Sequence, residues 1–250
     1  MKHVIVALLA AALAMCGCAS DYKLAAPLTL AESGVINDRA RAAKLEQAMT
    51  DSSIADLLDV DIRAKLPAAV AVARLQSLCR GYQPALVTID AKELAGWEQT
   101  IADQQYVRGV HPVTPLVHGS QRPTLHSLRV AAAKLKCELI LVYLQGDSSV
   151  DNYNDAAALY WTLVGLWLVP GNVYEHRTVM QAVLVDARTG VILGTATGDS
   201  HHKQAYAAAY KDIVRDKLSS KAPAEALADL QKVFEKLIGQ TVQSALAKRG

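Results

Sequence analysis

Glu138-Leu139-Ile140-Leu141-Val142-Tyr143-Leu144 is the stretch of sequence that decides the fold. Every residue after Glu138 in it is apolar, so it lacks the alternation of a strand that has one face in water. A strand that is apolar on both faces is typical of the centre of a sheet that helices cover on both sides. The stretch therefore predicts an α/β or α+β domain built around this strand.

More strands and helices are predicted upstream. Residues 70–76 predict a first strand, and a turn at residues 81–84 leads to a second strand at residues 85–89. Asp90 is a suitable N-cap for a helix over residues 91–102. The other upstream predictions are one or two leading helices within residues 36–61, a third strand at residues 106–113, and a helix that begins after residues 120–123. This mixture favours a mixed sheet with packed helices.

Downstream, the clearest local pattern is an antiparallel hairpin. Two runs of strand-forming residues, 178–187 and 191–197, flank the turn Arg188-Thr189-Gly190, where glycine permits a positive φ. Helical spacing of apolar residues follows from Tyr206 and resumes over residues 224–248 as an amphipathic helix that faces a core. Residues 219–223, which end in Pro223, predict an interruption between these two helical regions.

The amino terminus carries the pattern of a bacterial secretion signal. A basic residue, Lys2, precedes an apolar run over residues 4–15 that is too short to span a bilayer, which takes about 20 residues. Cys16-Gly17-Cys18-Ala19-Ser20 then resembles the lipobox of bacterial lipoproteins, in which the signal is cut before an acylated cysteine. Cys18 is the better lipid attachment site because Gly17 precedes it, whereas Cys16 follows the bulky Met15. An ordinary secreted protein is the alternative.

The lipobox resemblance implies a location and a domain organisation. A lipoprotein cysteine carries three acyl chains, and stable membrane attachment needs at least two such signals. By the sorting rule of these lipoproteins, Ala19 after the cysteine implies the periplasmic face of the outer membrane. We therefore expect a signal peptide at residues 1–17, a lipid anchor and tether at residues 18–35, and a single periplasmic α/β domain at residues 36–250.

Composition restricts the partners and the redox chemistry. Hydrophobic residues make up 52% of the 250 residues and charged residues 20%, which favours a packed globular fold over disorder. The 26 basic and 24 acidic residues give no global charge that would favour nucleic acid. After the signal, the remaining cysteines are Cys79 and Cys137. Two buried thiols are favoured over a disulfide, since the cysteines would lie at opposite ends of their two strands if those strands were parallel neighbours.

Four stretches resemble a known group of proteins. They are Leu66-Pro67-Ala68-Ala69-Val70-Ala71-Val72-Ala73-Arg74, Leu135-Lys136-Cys137 with the central strand, Leu159-Tyr160-Trp161-Thr162-Leu163-Val164-Gly165 with Val169-Pro170-Gly171, and Ala182-Val183-Leu184-Val185-Asp186-Ala187-Arg188-Thr189-Gly190. They are similar to uncharacterised proteobacterial lipoproteins, including the rhombotarget-like group. More remotely, the order of elements is similar to the periplasmic domain of the curli secretion channel lipoprotein and to the amino-terminal domain of TolB. The resemblance implies an assembly or envelope protein and supplies no catalytic residue.

Motifs of common enzymes and metal sites do not occur in the sequence. It contains no G-x-S-x-G, no G-x-x-x-x-G-K and no H-E-x-x-H pattern, so we expect a non-enzymatic protein without a cofactor. His201 and His202 are adjacent, and neighbouring residues on a strand point to opposite faces, which favours a solvated strand end over a metal site. His111 and His118 are read as core or loop histidines. The oxygen-rich residues Asp147, Asp151, Asn152, Asn154 and Asp155 do not fit the register of a calcium loop.

Residues 156–170 form the most unusual segment. They carry no charge and contain two of the three tryptophans. The segment can be core, an interface with a protein partner or a second copy, or a surface that faces a membrane. For the interface interpretation, the candidate residues are Tyr160, Trp161 and Trp167, because aromatic residues are enriched where partners bury surface.

Three functional hypotheses follow from these patterns. The leading one is a non-enzymatic outer-membrane lipoprotein that binds or assembles with other envelope components and is attached to the membrane by its lipid. An alternative is an oligomeric lipoprotein, similar to a secretion channel, that uses residues 156–170. The third is a periplasmic enzyme whose site the motifs do not identify.

Overall fold

The computed structural model describes residues 23–36, 67–77, 84–102, 107–119 and 122–247. The strands in these ranges are β1 (Ala68–Gln76), β2 (Ala85–Val87), β3 (Val107–Pro112), β4 (Leu139–Tyr153), β5 (Asn172–Asp186) and β6 (Ile192–Tyr206). The α-helices are α1 (Ala91–Ala102), α2 (Pro115–His118), α3 (Leu125–Lys134), α4 (Leu163–Leu168) and α5 (Lys211–Ala247). Short 3-10 helices cover Asp155–Trp161 and Ala208–Tyr210.

The strands form one mixed sheet, which confirms the predicted α/β class. Its order is β2-β1-β4-β5-β6, and β3 also pairs with β1. β4 runs parallel to β1, with Val70 opposite Leu139 and Gln76 opposite Gln145. β3 pairs in parallel with the first half of β1, and β2 pairs antiparallel with its end.

The central strand is buried on both faces, as its sequence predicts. Leu139, Leu141 and Tyr143 belong to one hydrophobic cluster, which includes Trp97 and Phe234. The alternate residues, Ile140, Val142 and Leu144, belong to a second cluster with residues of β1 and α3. Because successive side chains of a strand point to opposite faces, the sheet here has a core on each side.

The predicted hairpin is confirmed, and its strands are longer than expected. Gly190 has φ 80°, and the Asp186 carboxylate accepts hydrogen bonds from the amides of Arg188 and Thr189, which fixes the turn. β4 and β5 are antiparallel, since the Ala187 amide donates to the Glu138 carbonyl and the Asn154 amide donates to the Gly171 carbonyl. The residues of β5 that precede the predicted strand alternate between buried and partly exposed positions. Polar residues occur at both kinds of position, so the sequence does not show the alternation that predicts a strand.

The predicted interruption at residues 219–223 is wrong. α5 continues through Pro223, and Ser219 and Ser220 donate hydrogen bonds to carbonyls one turn earlier in the helix. Buried positions recur every four residues along it, at Val214, Leu218, Ala222, Ala226, Leu230, Phe234 and Ile238. This continuous apolar stripe outweighs the hydrogen bond that proline removes from a helix interior.

The chain divides into two compact units, each assembled from separate stretches of sequence. The described part of the first unit is residues 23–26, 148–178 and 200–224, with a small core of Tyr174, Tyr206, Val214 and Leu218. The described part of the second unit is residues 27–36, 67–77, 84–102, 107–119, 122–147, 179–199 and 225–247, and it contains both clusters around β4. The single domain at residues 36–250 stays a prediction.

Part of the predicted tether belongs to the second unit. Leu30 and Val35 are buried, and the Leu30 amide donates a hydrogen bond of 2.8 Å to the Gln181 side chain. Leu30 and Val35 therefore pack within the second unit, and the extent of the tether at residues 18–35 stays a prediction. The signal peptide, Cys16, Cys18, Cys79 and the leading helices predicted after residue 36 lie outside the described residues. Cys137 is buried as a free thiol, and burial raises its pKa to about 11.

Candidate functional site

Residues 154–171 form a closed excursion between β4 and β5. At its base, the Asn154 amide donates to the Gly171 carbonyl at 2.9 Å, and the Asn154 side chain donates to the Pro170 carbonyl at 2.7 Å. The same side chain accepts a hydrogen bond from the Ala156 amide and so caps the 3-10 helix. These bonds hold the two ends of the segment together.

A hydrogen bond and close packing also fix the middle of the segment. The Thr162 hydroxyl accepts a hydrogen bond of 2.9 Å from the Gly165 amide and caps α4. Gly165 is buried against the preceding 3-10 helix, where a Cβ atom would lie 2.0 Å from the Leu159 carbonyl oxygen. The short helix can therefore lie close to the 3-10 helix only because this position is glycine.

The excursion presents an outward apolar face, which we call the apolar surface. In α4, Leu163 and Val164 lie on the same face as Trp167 and Leu168, since residues four apart are neighbours on a helix. This face points away from the protein, whereas a helix on the surface of a water-soluble domain usually turns its apolar face inward. The members of the apolar surface, with their exposed fractions, are Leu159 (50%), Trp161 (82%), Leu163 (81%), Val164 (67%), Trp167 (58%) and Leu168 (73%).

The apolar surface is large for a monomer. A large aromatic side chain can bury about 150–250 Å², so Trp161 and Trp167 together expose roughly 200–350 Å². The four aliphatic members, each at least half exposed, add to this. The largest apolar patch of a typical monomer is about 300–600 Å² and often functional. The exposures exclude the core interpretation for these six side chains.

The three predicted interface residues have different environments. Trp161 is exposed, and Trp167 is exposed with its ring edge-on to Tyr210, at 6.4 Å between centroids. Tyr160 is half-buried, and its hydroxyl contacts the Tyr206 carbonyl at 3.4 Å, so it anchors the excursion to the first unit. Tyr210 is 44% exposed and borders the apolar surface, whereas in the sequence it stands out only by its helical spacing from Tyr206.

Asp151 organises the polar part of the first unit. Its carboxylate accepts hydrogen bonds from Tyr206 at 2.5 Å and from Arg215 at 2.8 Å, and it lies 3.2 Å from the Lys211 amine. Partial burial alone would raise the pKa of Asp151, but the Tyr206 hydrogen bond and the two cations outweigh this and hold its pKa below the usual value. The Arg215 guanidinium also lies 5.7 Å from the centroid of the Tyr174 ring.

A second polar network lies inside the second unit. Arg74 donates hydrogen bonds to Glu93 at 2.6 Å and to Gln145 at 2.7 Å, and Tyr143 donates a short hydrogen bond to Glu93. Burial, followed by the negative charge of Glu93, raises the pKa of Tyr143 well above its usual value. The Arg74–Glu93 pair ties β1 to the first turn of α1, so these charges have a structural task.

The histidines and acidic residues that were considered as metal ligands do not lie together in one cluster, and several of them contact other side chains. His201 and His202 lie within β6 and not at a strand end as predicted; the His201 ring lies 2.6 Å from Glu175, and the His202 ring 3.2 Å from Ser200. His111 is exposed on β3, and His118 at the end of α2 contacts Ser127. In the described ranges, no three His, Cys, Asp or Glu side chains are grouped as metal ligands.

Comparisons with known proteins give remote matches. No protein family model and no curated protein matches the chain. Similar solved structures include the lipoprotein GNA1162 from Neisseria meningitidis, with 12% identity over 62% of this chain and 97% of that one, and a TM-score of 0.32. A neuraminyllactose-binding hemagglutinin homolog from Helicobacter pylori has 8% identity over 77% and 96%, with a TM-score of 0.36. The hypothetical protein CT253 from Chlamydia trachomatis has 10% identity over 72% and 98%, with a TM-score of 0.32.

These similarities assign neither a family nor a function to the chain, since the identities and TM-scores are low. Among the helices that the structure describes, none combines the length and the apolar character needed to cross a bilayer.

Proposed function

We propose that this protein is a non-enzymatic lipoprotein of the bacterial outer membrane, attached at the periplasmic face by acyl chains on Cys18. In this proposal its task is binding, and the apolar surface is the part that binds another envelope component. The observation that carries the proposal is the apolar surface itself, in which six large side chains within ten residues are exposed on a capped and closed segment.

The manner in which the segment is held supports a binding role. Exposed apolar side chains are unfavourable in water, and each one left exposed forgoes about 1.5–3 kcal/mol of burial free energy. The hydrogen bonds of Asn154 and Thr162 nevertheless fix the backbone that presents these side chains. A surface that is ordered before it meets its partner loses less entropy on binding.

The titratable groups with shifted pKa values fit the same proposal. Asp151 is engaged by Tyr206, Lys211 and Arg215, and Tyr143 by Glu93, so their hydrogen-bonding capacity serves the fold. Perturbed pKa values often mark catalytic groups, but structural networks also produce them.

The attachment is tested by labelling cells with radioactive palmitate and purifying the protein. We expect label in the wild type and in Cys16→Ser, and none in Cys18→Ser, because acylation requires the thiol. Label that persists in Cys18→Ser and disappears in Cys16→Ser would move the site to Cys16. A wild-type protein without label would contradict the lipoprotein proposal.

The binding role is tested with the mature chain carrying Cys18→Ser, so that no acyl chain attaches it. We expect this protein to sediment with isolated outer membranes, and Trp161→Ser combined with Trp167→Ser to sediment far less. Leu116→Ser is the matched control, because Leu116 is 93% exposed on α2, outside the apolar surface. Equal sedimentation of the double variant and the control would contradict a binding role for the apolar surface.

A further inference from the structure

We propose that the apolar surface is occupied by the phospholipid bilayer that holds the acyl anchor, so that the first unit lies in the membrane interface with Trp161 and Trp167 among the lipids. This inference rests on the proposed function, since it needs the lipid on Cys18. It adds the identity of the component that the apolar surface binds.

Chain length is the first argument. Five peptide bonds separate Cys18 from Lys23, so even a fully extended chain places these residues no more than roughly 18 Å apart. Lys23 belongs to the first unit, which also contains the apolar surface. The anchor therefore keeps this unit beside a bilayer, and a tethered surface meets its target at a high effective concentration.

The chemistry of the apolar surface is the second argument. Residues 156–170 carry no charge, and the outward side chains are tryptophan, leucine and valine. Tryptophan is enriched where a membrane meets water, because its ring is apolar and its indole N–H remains polar. The six side chains offer only the two indole N–H groups for hydrogen bonding, whereas a typical protein interface makes about ten hydrogen bonds. This composition favours lipid over a protein partner.

The backbone of the excursion is the third argument. Peptide groups that enter lipid need hydrogen-bond partners within the protein, because the bilayer core offers none. Here the Ala156 and Gly165 amides donate to the caps Asn154 and Thr162, and the Thr162 and Val169 amides donate to the carbonyls of Leu159 and Gly165. The segment is too short to span the bilayer, and a short helix with an apolar outward face fits partial insertion, about 5–10 Å deep.

Fluorescence quenching tests the proposal, because the three tryptophans differ in exposure. Trp97 is fully buried in the second unit, whereas Trp161 and Trp167 lie in the apolar surface. The acylated mature protein, which begins at Cys18, is placed in vesicles of phosphatidylethanolamine and phosphatidylglycerol in which part of the lipid carries bromine on its acyl chains. We expect brominated lipid to quench a share of the emission that approaches two thirds, since two of the three tryptophans lie in the apolar surface.

The matched variant is Trp161→Phe combined with Trp167→Phe, in which Trp97 alone emits. Its emission should be insensitive to brominated lipid, and its melting temperature should stay close to that of the wild type because both side chains are exposed. Wild-type quenching no greater than that of this variant would overturn the proposal, whatever the outcome of the palmitate labelling.

A second measurement does not depend on tryptophan. With Cys18→Ser as background, Leu163→Asp combined with Leu168→Asp should weaken sedimentation with protein-free vesicles of the same lipids by tenfold or more, and Leu116→Asp should not. Sedimentation with outer membranes but not with protein-free vesicles would assign the apolar surface to an envelope component other than phospholipid. Self-association of the Cys18→Ser protein in light scattering, lost in the double tryptophan variant, would assign it to a second copy. Either result would overturn the bilayer proposal and leave the binding function in place.

Discussion

Asp151 shows how one residue stabilises the first unit through its charge. The carboxylate is hydrogen-bonded by Tyr206 and accompanied by two cations, Lys211 and Arg215, which favour its ionised form. A hydrogen bond to a charged group contributes about 1.5–3 kcal/mol, and exposed ion pairs contribute about 0.2–1 kcal/mol. Because the site is partly solvated, we expect Asp151→Asn to lower the free energy of unfolding at neutral pH by about 1–2 kcal/mol.

The pH dependence of this effect has a definite sign. The pKa of Asp151 is lower in the folded protein than its ordinary value of 3.8, so the stabilisation is present above pH 3.8 and is lost as the pH falls through the folded pKa. Urea unfolding of wild type and Asp151→Asn should therefore differ at neutral pH and converge as the pH falls below about 4. Asp216→Asn, at an exposed position of α5, serves as control and should show little difference. A difference that persists unchanged in acid would contradict this account.

Gly198 is a residue whose missing side chain permits close packing in the second unit. A Cβ atom there would lie 2.2 Å from the Ala226 carbonyl oxygen and 2.4 Å from the Leu230 amide nitrogen, both in the backbone of α5. We expect Gly198→Ala to cost about 1–3 kcal/mol of stability, since backbone must move to relieve the overlap. Gly239, also in α5, has open space at this position, so Gly239→Ala should be stabilising by roughly 0.5–1 kcal/mol in the same urea experiment. If Gly198→Ala and Gly239→Ala changed the free energy of unfolding equally, β6 and α5 could move apart at little cost, and this account would be wrong.

At the scale of elements, β4 determines the second unit because it contributes to both cores. Ile140 and Leu141 are fully buried on opposite faces of the sheet. Ile140→Ala and Leu141→Ala should each lower the free energy of unfolding by about 2–5 kcal/mol, as for other buried aliphatic residues. Thermal or urea unfolding measures both. A cost under about 0.5 kcal/mol for either one, typical of surface positions, would mean that its face is not packed.

The elements that could be predicted from sequence are those with a strong local signal. The unbroken apolar run predicts the buried part of β4, and Gly190, which permits a positive φ, predicts the turn from Asp186 to Gly190. Both are found as predicted. Pro223 misled the prediction because its local cost is visible in the sequence, whereas the apolar stripe that outweighs it depends on tertiary packing. The parts of β5 and β6 that lie farthest from the hairpin turn were not predicted either. Their positions alternate between more and less buried, but polar and apolar residues occur at both kinds of position, so the sequence shows no clear alternation.

The candidate site was only partly visible in the sequence. The uncharged stretch with Trp161 and Trp167 stands out, but an apolar stretch is more often core than surface, and sequence alone left both open. The contact of Gly165 with the preceding 3-10 helix and the caps at Asn154 and Thr162 fix the conformation in which these side chains are exposed, and such contacts have no local signal in the sequence. Tyr210 joins Trp167 from a distant part of the chain, which no local pattern indicates.

For the whole molecule, the sequence order of the two units determines when each one can fold. The core of the first unit includes Tyr206, Val214 and Leu218, and one of the two cores of the second unit includes Leu230 and Phe234. If the chain is exported as proposed, with its amino terminus first, residues 156–170 reach the periplasm before Tyr206, Val214 and Leu218 of the same unit. Under that proposal we expect export to depend on a periplasmic chaperone that shields the unfinished chain, which export yields in chaperone-deletion strains would measure.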